Sequence, residues 1–244
     1  MPVDELNMEK LKREKVDWTI LLFIILLFST GAYQRNSIWK NQIEFWKDCV
    51  KKSPQKERTH HNLGFVYYER RQWDDARREF EESLKLNPQY ALSMYNLGLV
   101  FYRKGLLDKA IDHYKKAIQL DSEFPYSFYN LGIAYYQKGF DREAIKAYNK
   151  FLEAEPDYEN AHSSLGLAYK RLNRRGKAIR SFQEELRIHP ENCYAHVYLG
   201  DIYREMREYR KAISHFKKAL NDPNLSDAER IRKVISSMEA VQKR

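Results

Sequence analysis

Asn96-Leu97-Gly98 recurs 34 residues away in both directions, as Asn62-Leu63-Gly64 and as Asn130-Leu131-Gly132. Two further steps give Ser164-Leu165-Gly166 and Tyr198-Leu199-Gly200. The register runs from Glu57 to Ser226 through five copies without an insertion or deletion. A fixed period of this length marks a repeat array, whose units each leave an apolar face that only a neighbour can cover.

With Glu57, Ala91, Pro125, Glu159 and Cys193 as position 1, other columns keep the period. Position 20 is Ala76, Ala110, Ala144, Ala178 and Ala212. Position 24 is Phe80, Tyr114, Tyr148, Phe182 and Phe216, and position 11 is Tyr67, Phe101, Tyr135, Tyr169 and Tyr203. These columns resemble the tetratricopeptide repeat (TPR) family: a helix pair per 34 residues, small residues at 8 and 20, aromatics at 11 and 24, proline near 32. The resemblance implies an all-α fold, a right-handed α-solenoid of helix pairs. Gly at 8 and Ala at 20 are expected where two antiparallel helices cross, since only small side chains permit close approach there.

The chain has 43 basic and 34 acidic residues and a mean hydropathy of −0.75, as a long, well-solvated helical surface requires. Residues 1–35 hold five residues of each sign, so the whole excess of +9 lies on residues 36–244. A basic array favours acidic partners or anionic surfaces through long-range attraction. The plainer reading is that Lys and Arg merely solvate the outer helices. Cys49 and Cys193 stand about four repeats apart, too far for the roughly 7 Å that a disulfide allows between Cα atoms.

Residues 1–15 form a polar tail, followed by nine consecutive Ile, Leu and Phe from Ile20 to Phe28. As a helix, Val16 to Tyr33 reaches about 27 Å, close to the roughly 30 Å of a bilayer core. Trp18 and Tyr33 stand where interfacial aromatics belong. Residues 16–34 therefore read as one transmembrane helix preceding the solenoid. A cleavable signal peptide is the rival, with Ser29, Thr30, Gly31 and Ala32 after the apolar run. Either reading puts the repeats in the periplasm or an organelle lumen, with the membrane contacted through residues 16–34.

Trp39, Trp46 and Pro54 lie 34 residues before Trp73, Phe80 and Pro88, so residues 35–56 read as a leading half-repeat with Cys49 at a packing position. The stretch around Arg35, Trp39, Trp46, Pro54 and Asn62 also resembles the junction in the transmembrane-and-TPR O-mannosyltransferase-like proteins. Those proteins carry many membrane helices and acidic catalytic loops that this chain lacks, so no transferase activity is implied. Residues 57–226 are the five repeats, and residues 227–244 a capping helix opened by a capping box, Ser226-Asp227-Ala228-Glu229.

Two positions break the pattern. Position 27 should be small, and Ser83, Ala117 and Ala219 comply while Phe151 and Glu185 do not. Looser or differently angled packing is expected after the third and fourth repeats. Ser122 replaces proline at position 32, with Pro125 three residues later able to sit in a first helical turn.

No catalytic constellation emerges, and neither a cofactor nor a metal site is expected. His60, His162 and His196 share position 4, which reads as packing between paired helices. The glycines belong to repeat columns, turns or the apolar segment. What remains is the inner surface, which the TPR resemblance places at first-helix positions 2, 5, 6, 9, 12 and 13. Position 6 is Asn62, Asn96 and Asn130, then Ser164 and Tyr198. An amide both donates and accepts, so a row of Asn suits an extended peptide backbone. Beside it stand Tyr95 and Tyr129 at position 5, Tyr126 at 2, and Tyr68, Tyr102 and Tyr136 at 12. Lys170, Arg171 and Arg204 make the far end basic. The TPR carboxylate clamp, with Lys at 5 and Asn at 9, is absent. Asn at 6 and Tyr at 5 and 12 also serve TPR repeats generally, whatever they bind.

These residues point to a non-enzymatic, membrane-anchored TPR adaptor or scaffold that binds a partner protein segment in its concave groove. It would serve as an assembly factor or subunit of an envelope complex. The alternative is an accessory protein of a membrane glycosyltransferase system. Charge alone does not argue for nucleic acid, and none is expected as a partner.

Overall fold

The computed structural model describes residues 41–242, which form two compact units, 41–88 and 89–242. The transmembrane helix expected at 16–34 lies outside the described residues. Among those residues there are twelve α-helices, no strand, and no helix long and apolar enough to cross a membrane.

The first unit holds α1 (Gln42–Lys52), α2 (Glu57–Glu69) and α3 (Trp73–Leu86). Asn41 caps α1 by accepting from the Ile43 N–H at 3.2 Å, a common way to satisfy an orphan first-turn donor. The half-repeat helix is there, but none of its residues is buried and Cys49 is only half-buried. Helices α2 and α3 form the first repeat, with Phe80 fully buried between them.

The second unit contains four repeats: α4 (Ala91–Arg103) with α5 (Leu107–Leu120), α6 (Pro125–Lys138) with α7 (Asp141–Ala154), α8 (Ala161–Arg171) with α9 (Arg175–Ile188), and α10 (Cys193–Glu205) with α11 (Tyr209–Ala219). Each second helix packs on the next first helix, and α12 (Ala228–Gln242) closes the stack against α11. Helix α12 starts two residues after Ser226, and it buries Ile231, Ile235 and Met238. Pro125 opens α6 in its first turn, where a missing N–H costs nothing.

The crossing within each pair is tighter than small-against-small. A Cβ on Gly132 would meet the Tyr148 ring at 2.6 Å, and one on Gly200 the Phe216 ring at 2.6 Å. The bare glycine edge at position 8 is therefore the seat of the aromatic at position 24. All five alanines at position 20 are fully buried beside it.

Every turn within a pair has one construction. Position 15 is left-handed in all five repeats: Arg71, Gly105, Gly139, Asn173 and Arg207, with φ between 58° and 84°. Its N–H donates to the carbonyl of position 12, as Gly139 to Tyr136 at 3.0 Å, and position 16 donates to position 11, as Phe140 to Tyr135 at 2.9 Å. This pair of bonds is the Schellman motif, which satisfies the orphan carbonyls at a helix end.

The two large residues at position 27 are both accommodated inside the stack. Phe151 is fully buried among Tyr126, Tyr129 and Tyr158, with ring centroids 6.0, 4.8 and 5.0 Å away. Glu185 is also fully buried, and its carboxylate accepts from the backbone N–H of Asn160 (2.9 Å) and Ser163 (3.1 Å) and from the Asn192 amide (3.2 Å). Helix α8 starts at position 3 instead of position 1, after Asn160 at φ 65°, and has no cap from its own N-cap side chain. Glu185, from the partner helix, supplies that cap.

Candidate functional site

The inner face of the second unit is built by the first helices α4, α6, α8 and α10, and α4 touches α6 as α6 touches α8. Of the eleven residues singled out from the sequence, Asn62 lies half-buried on α2 in the first unit. The other ten lie on these four helices.

Those ten are bound to one another more than the sequence suggests. Asn130 donates to the Tyr95 hydroxyl at 2.8 Å and to the Tyr126 carbonyl at 3.1 Å, so both of its N–H groups are committed. Gln137 donates to the Tyr102 hydroxyl at 2.5 Å. Lys170 stands 3.9 Å from Glu205. Tyr95–Asn130, Tyr102–Gln137 and Lys170–Glu205 are each separated by 35 residues, joining position 5 to 6 or 12 to 13 of the next repeat. Asn96 is 7% exposed. Asn130 therefore ties its repeat to the preceding one as well as facing the groove.

Arg171 is the most heavily used. Its guanidinium lies 3.7 Å from the Tyr136 ring centroid, donates to the Tyr136 carbonyl, and holds Asp141 through Nε at 2.6 Å. The Asp141 hydrogen bond raises the arginine's pKa, so it is a permanent cation. Arg204 pairs with Asp201 at 3.1 Å, on the same helix. The basic end of the groove is thus largely neutralised within the fold.

What the inner face leaves open is position 2: Leu92, Tyr126, Asn160 and Tyr194 are all exposed, Tyr194 by 51%. Behind Tyr126 lies the aromatic cluster around Phe151. Beside it an open cleft is lined by Tyr129, Glu155, Pro156, Asp157, Tyr158, Glu159, Asn160 and His189. Burial raises the Tyr129 and Tyr148 hydroxyls above their ordinary range, so both stay neutral phenols.

The position-4 histidines do more than pack. His60 and His162 place Nε2 at 3.1 and 3.0 Å from the carbonyls of Pro54 and Pro156. In each case the ring latches the proline turn six residues earlier. The repeated His and Pro six apart could have given this away. His196 meets His215 with Nδ1 atoms 3.0 Å apart. Burial lowers the pKa of both, that of His215 to about 4. Among the described residues no three His, Cys, Asp or Glu side chains converge as metal ligands.

A tetratricopeptide repeat family model matches residues 62–125 and 129–192, and a second one residues 193–221. No curated protein sequence matches the chain. Among solved structures, MamA is 28% identical with a TM-score of 0.63, covering 65% of this chain and 93% of MamA. YrrB, described as a TPR protein with an unusual peptide-binding site, is 18% identical with a TM-score of 0.67, over 77% of this chain and 97% of its own. PilF of Pseudomonas aeruginosa is 20% identical with a TM-score of 0.65, over 76% and 87%. At those identities, YrrB and PilF share the fold.

Proposed function

Because the chain belongs to the tetratricopeptide repeat family, we propose that it is a non-enzymatic, membrane-tethered adaptor. It holds an extended segment of a partner protein against the inner face of residues 89–242, as an assembly factor or subunit of an envelope complex. The observation that carries this is the exposed position-2 row, Leu92, Tyr126, Asn160 and Tyr194, standing in front of neutral tyrosines. Packed helices stand about 8–10 Å apart, and an extended chain advances about 3.3 Å per residue. One partner side chain in three can therefore meet one repeat, with Tyr126 and Tyr194 offering broad contact at little entropic cost. The matched family models are repeat models, and the solved relative YrrB is described as having a peptide-binding site. The apolar run Ile20–Phe28 would keep the bound segment near a bilayer.

A photo-crosslinking residue at Tyr194 tests the reading in native membranes, with Lys116 on the exposed surface of α5 as control. One protein partner captured from position 194 and not from 116 is expected. Equal capture from both sites, or none from 194 in a folded chain, refutes the inner-face assignment.

A further inference from the structure

The two edges of the second unit carry opposite charge. Antiparallel pairs stacked in one direction put all turns within pairs on one edge and all turns between pairs on the other. Contacts between successive turns confirm both alignments. Lys138 pairs with Asp108 and Arg171 with Asp141 on the first edge. Asn192 bonds Asn160 at 2.9 Å, and His189 meets the Asp157 carbonyl at 3.2 Å, on the second.

The within-pair turns, residues 103–109, 137–143, 171–177 and 205–211, contain twelve basic and five acidic residues. The between-pair turns, residues 119–126, 153–160, 187–194 and 221–228, contain one basic and nine acidic. On the basic edge Arg142, Arg174, Arg207 and Arg210 are exposed and form no ion pair among the described residues. Three large apolar side chains stand among them: Leu106 is 42% exposed, Phe140 46% and Met206 40%.

We propose that this edge rests on an anionic phospholipid surface, its arginines among the phosphates and Leu106, Phe140 and Met206 at the headgroup level. Cations interleaved with exposed apolar side chains are the chemistry of an interfacial contact. The acidic edge does not cancel the attraction. Thirteen-residue helices separate the edges by about 20 Å, and with a screening length of about 8 Å at physiological salt the opposing field falls to roughly a tenth. The contact is separate from the inner face, which stays open to a protein segment.

Amide hydrogen exchange on the full chain tests this, because it reads each edge separately whatever residues 16–34 do. The chain is placed in vesicles of phosphatidylcholine alone, or with a third of phosphatidylglycerol. The expected result is about tenfold slower exchange at the within-pair turns in anionic vesicles only, with the between-pair turns unchanged. Each cation near the surface contributes about a fivefold gain in partitioning. Replacing Arg142, Arg174, Arg207 and Arg210 by Gln should therefore abolish the slowing while helicity stays intact. Equal exchange in both lipids, or protection of the acidic edge, overturns the proposal. So does a short DNA duplex slowing the same turns more than the vesicles do at equal salt.

Discussion

Replacing Glu185 by alanine separates a reading from the repeat pattern from one based on the structure. Ala117 and Ala219 occupy the same position in other repeats, so the pattern alone makes Glu185→Ala neutral or stabilising. The structure makes it costly. Ser163 N–H is buried and has the Glu185 carboxylate as acceptor, so removing it leaves a donor unsatisfied, at about 1–3 kcal/mol. Asn160 is exposed and water can replace its bond, so its loss costs about what a helix cap does, 0.5–2 kcal/mol. A side chain removed from a fully buried site also leaves a void, while alanine's helix preference returns a few tenths. The expected total is about 3 kcal/mol lost, with Glu185→Gln near half of that, since its carbonyl can keep one N–H. Urea unfolding followed by circular dichroism measures the loss, and the amides of Asn160 and Ser163 should exchange faster than those of α10. A change within about 0.5 kcal/mol of zero, the ordinary range for a surface substitution, would show that the buried carboxylate is not what holds α8.

Gly132→Ala should destabilise by about 1 kcal/mol, because overpacking against the Tyr148 ring outweighs the gain in helix propensity. Gly176→Ala, with nothing within 4 Å, should stabilise by up to about 1 kcal/mol, and thermal unfolding compares the two. Burial holds His61 and His215 at about 4, below the free value near 6.5, so the folded chain prefers both rings neutral. Their contribution is complete above pH 6.5 and is lost as pH falls towards 4, and His215→Gln should flatten that acid slope in urea midpoints measured against pH. Arg171→Ala should cost about 2 kcal/mol by stranding the buried Asp141, and Arg171→Lys should not restore it, because only a planar guanidinium can stack on Tyr136 while forking to Asp141. Arg207→Gly should gain about 1 kcal/mol by relieving a left-handed backbone.

The helix pairs and the close crossing at position 8 were legible because one period places small and aromatic residues in fixed columns. The columns place a close crossing at position 8, and the structure adds that the aromatic at position 24, Tyr148 over Gly132, seats on the bare glycine. The joints between repeats were less legible. Glu185 looked like a defect because a column records which size is usual, not that a carboxylate can turn back and cap the helix beside it. Phe151 looked oversized, yet Tyr126, Tyr129 and Tyr158 make room for it as a group that no single column shows. The left-handed turn was hidden for a similar reason, since Gly105 and Gly139 announce it while Arg71 and Arg207 adopt it against their preference.

The 35-residue rungs change what the inner-face residues can do. A side chain that faces a ligand in one repeat also faces the next repeat, and a hydrogen-bonding group held by its neighbour meets a peptide only if the rung breaks or its second lone pair serves. Asn130 has already given both donors to Tyr95 and Tyr126, so a peptide carbonyl would have to displace one of them. That exchange nearly cancels in free energy, since one hydrogen bond replaces another. Affinity must then come from apolar area at Leu92, Tyr126 and Tyr194, which no rung consumes. Asn130 is better placed to fix the spacing of its repeat against the preceding one, and through it the spacing at which Leu92 and Tyr126 meet a partner.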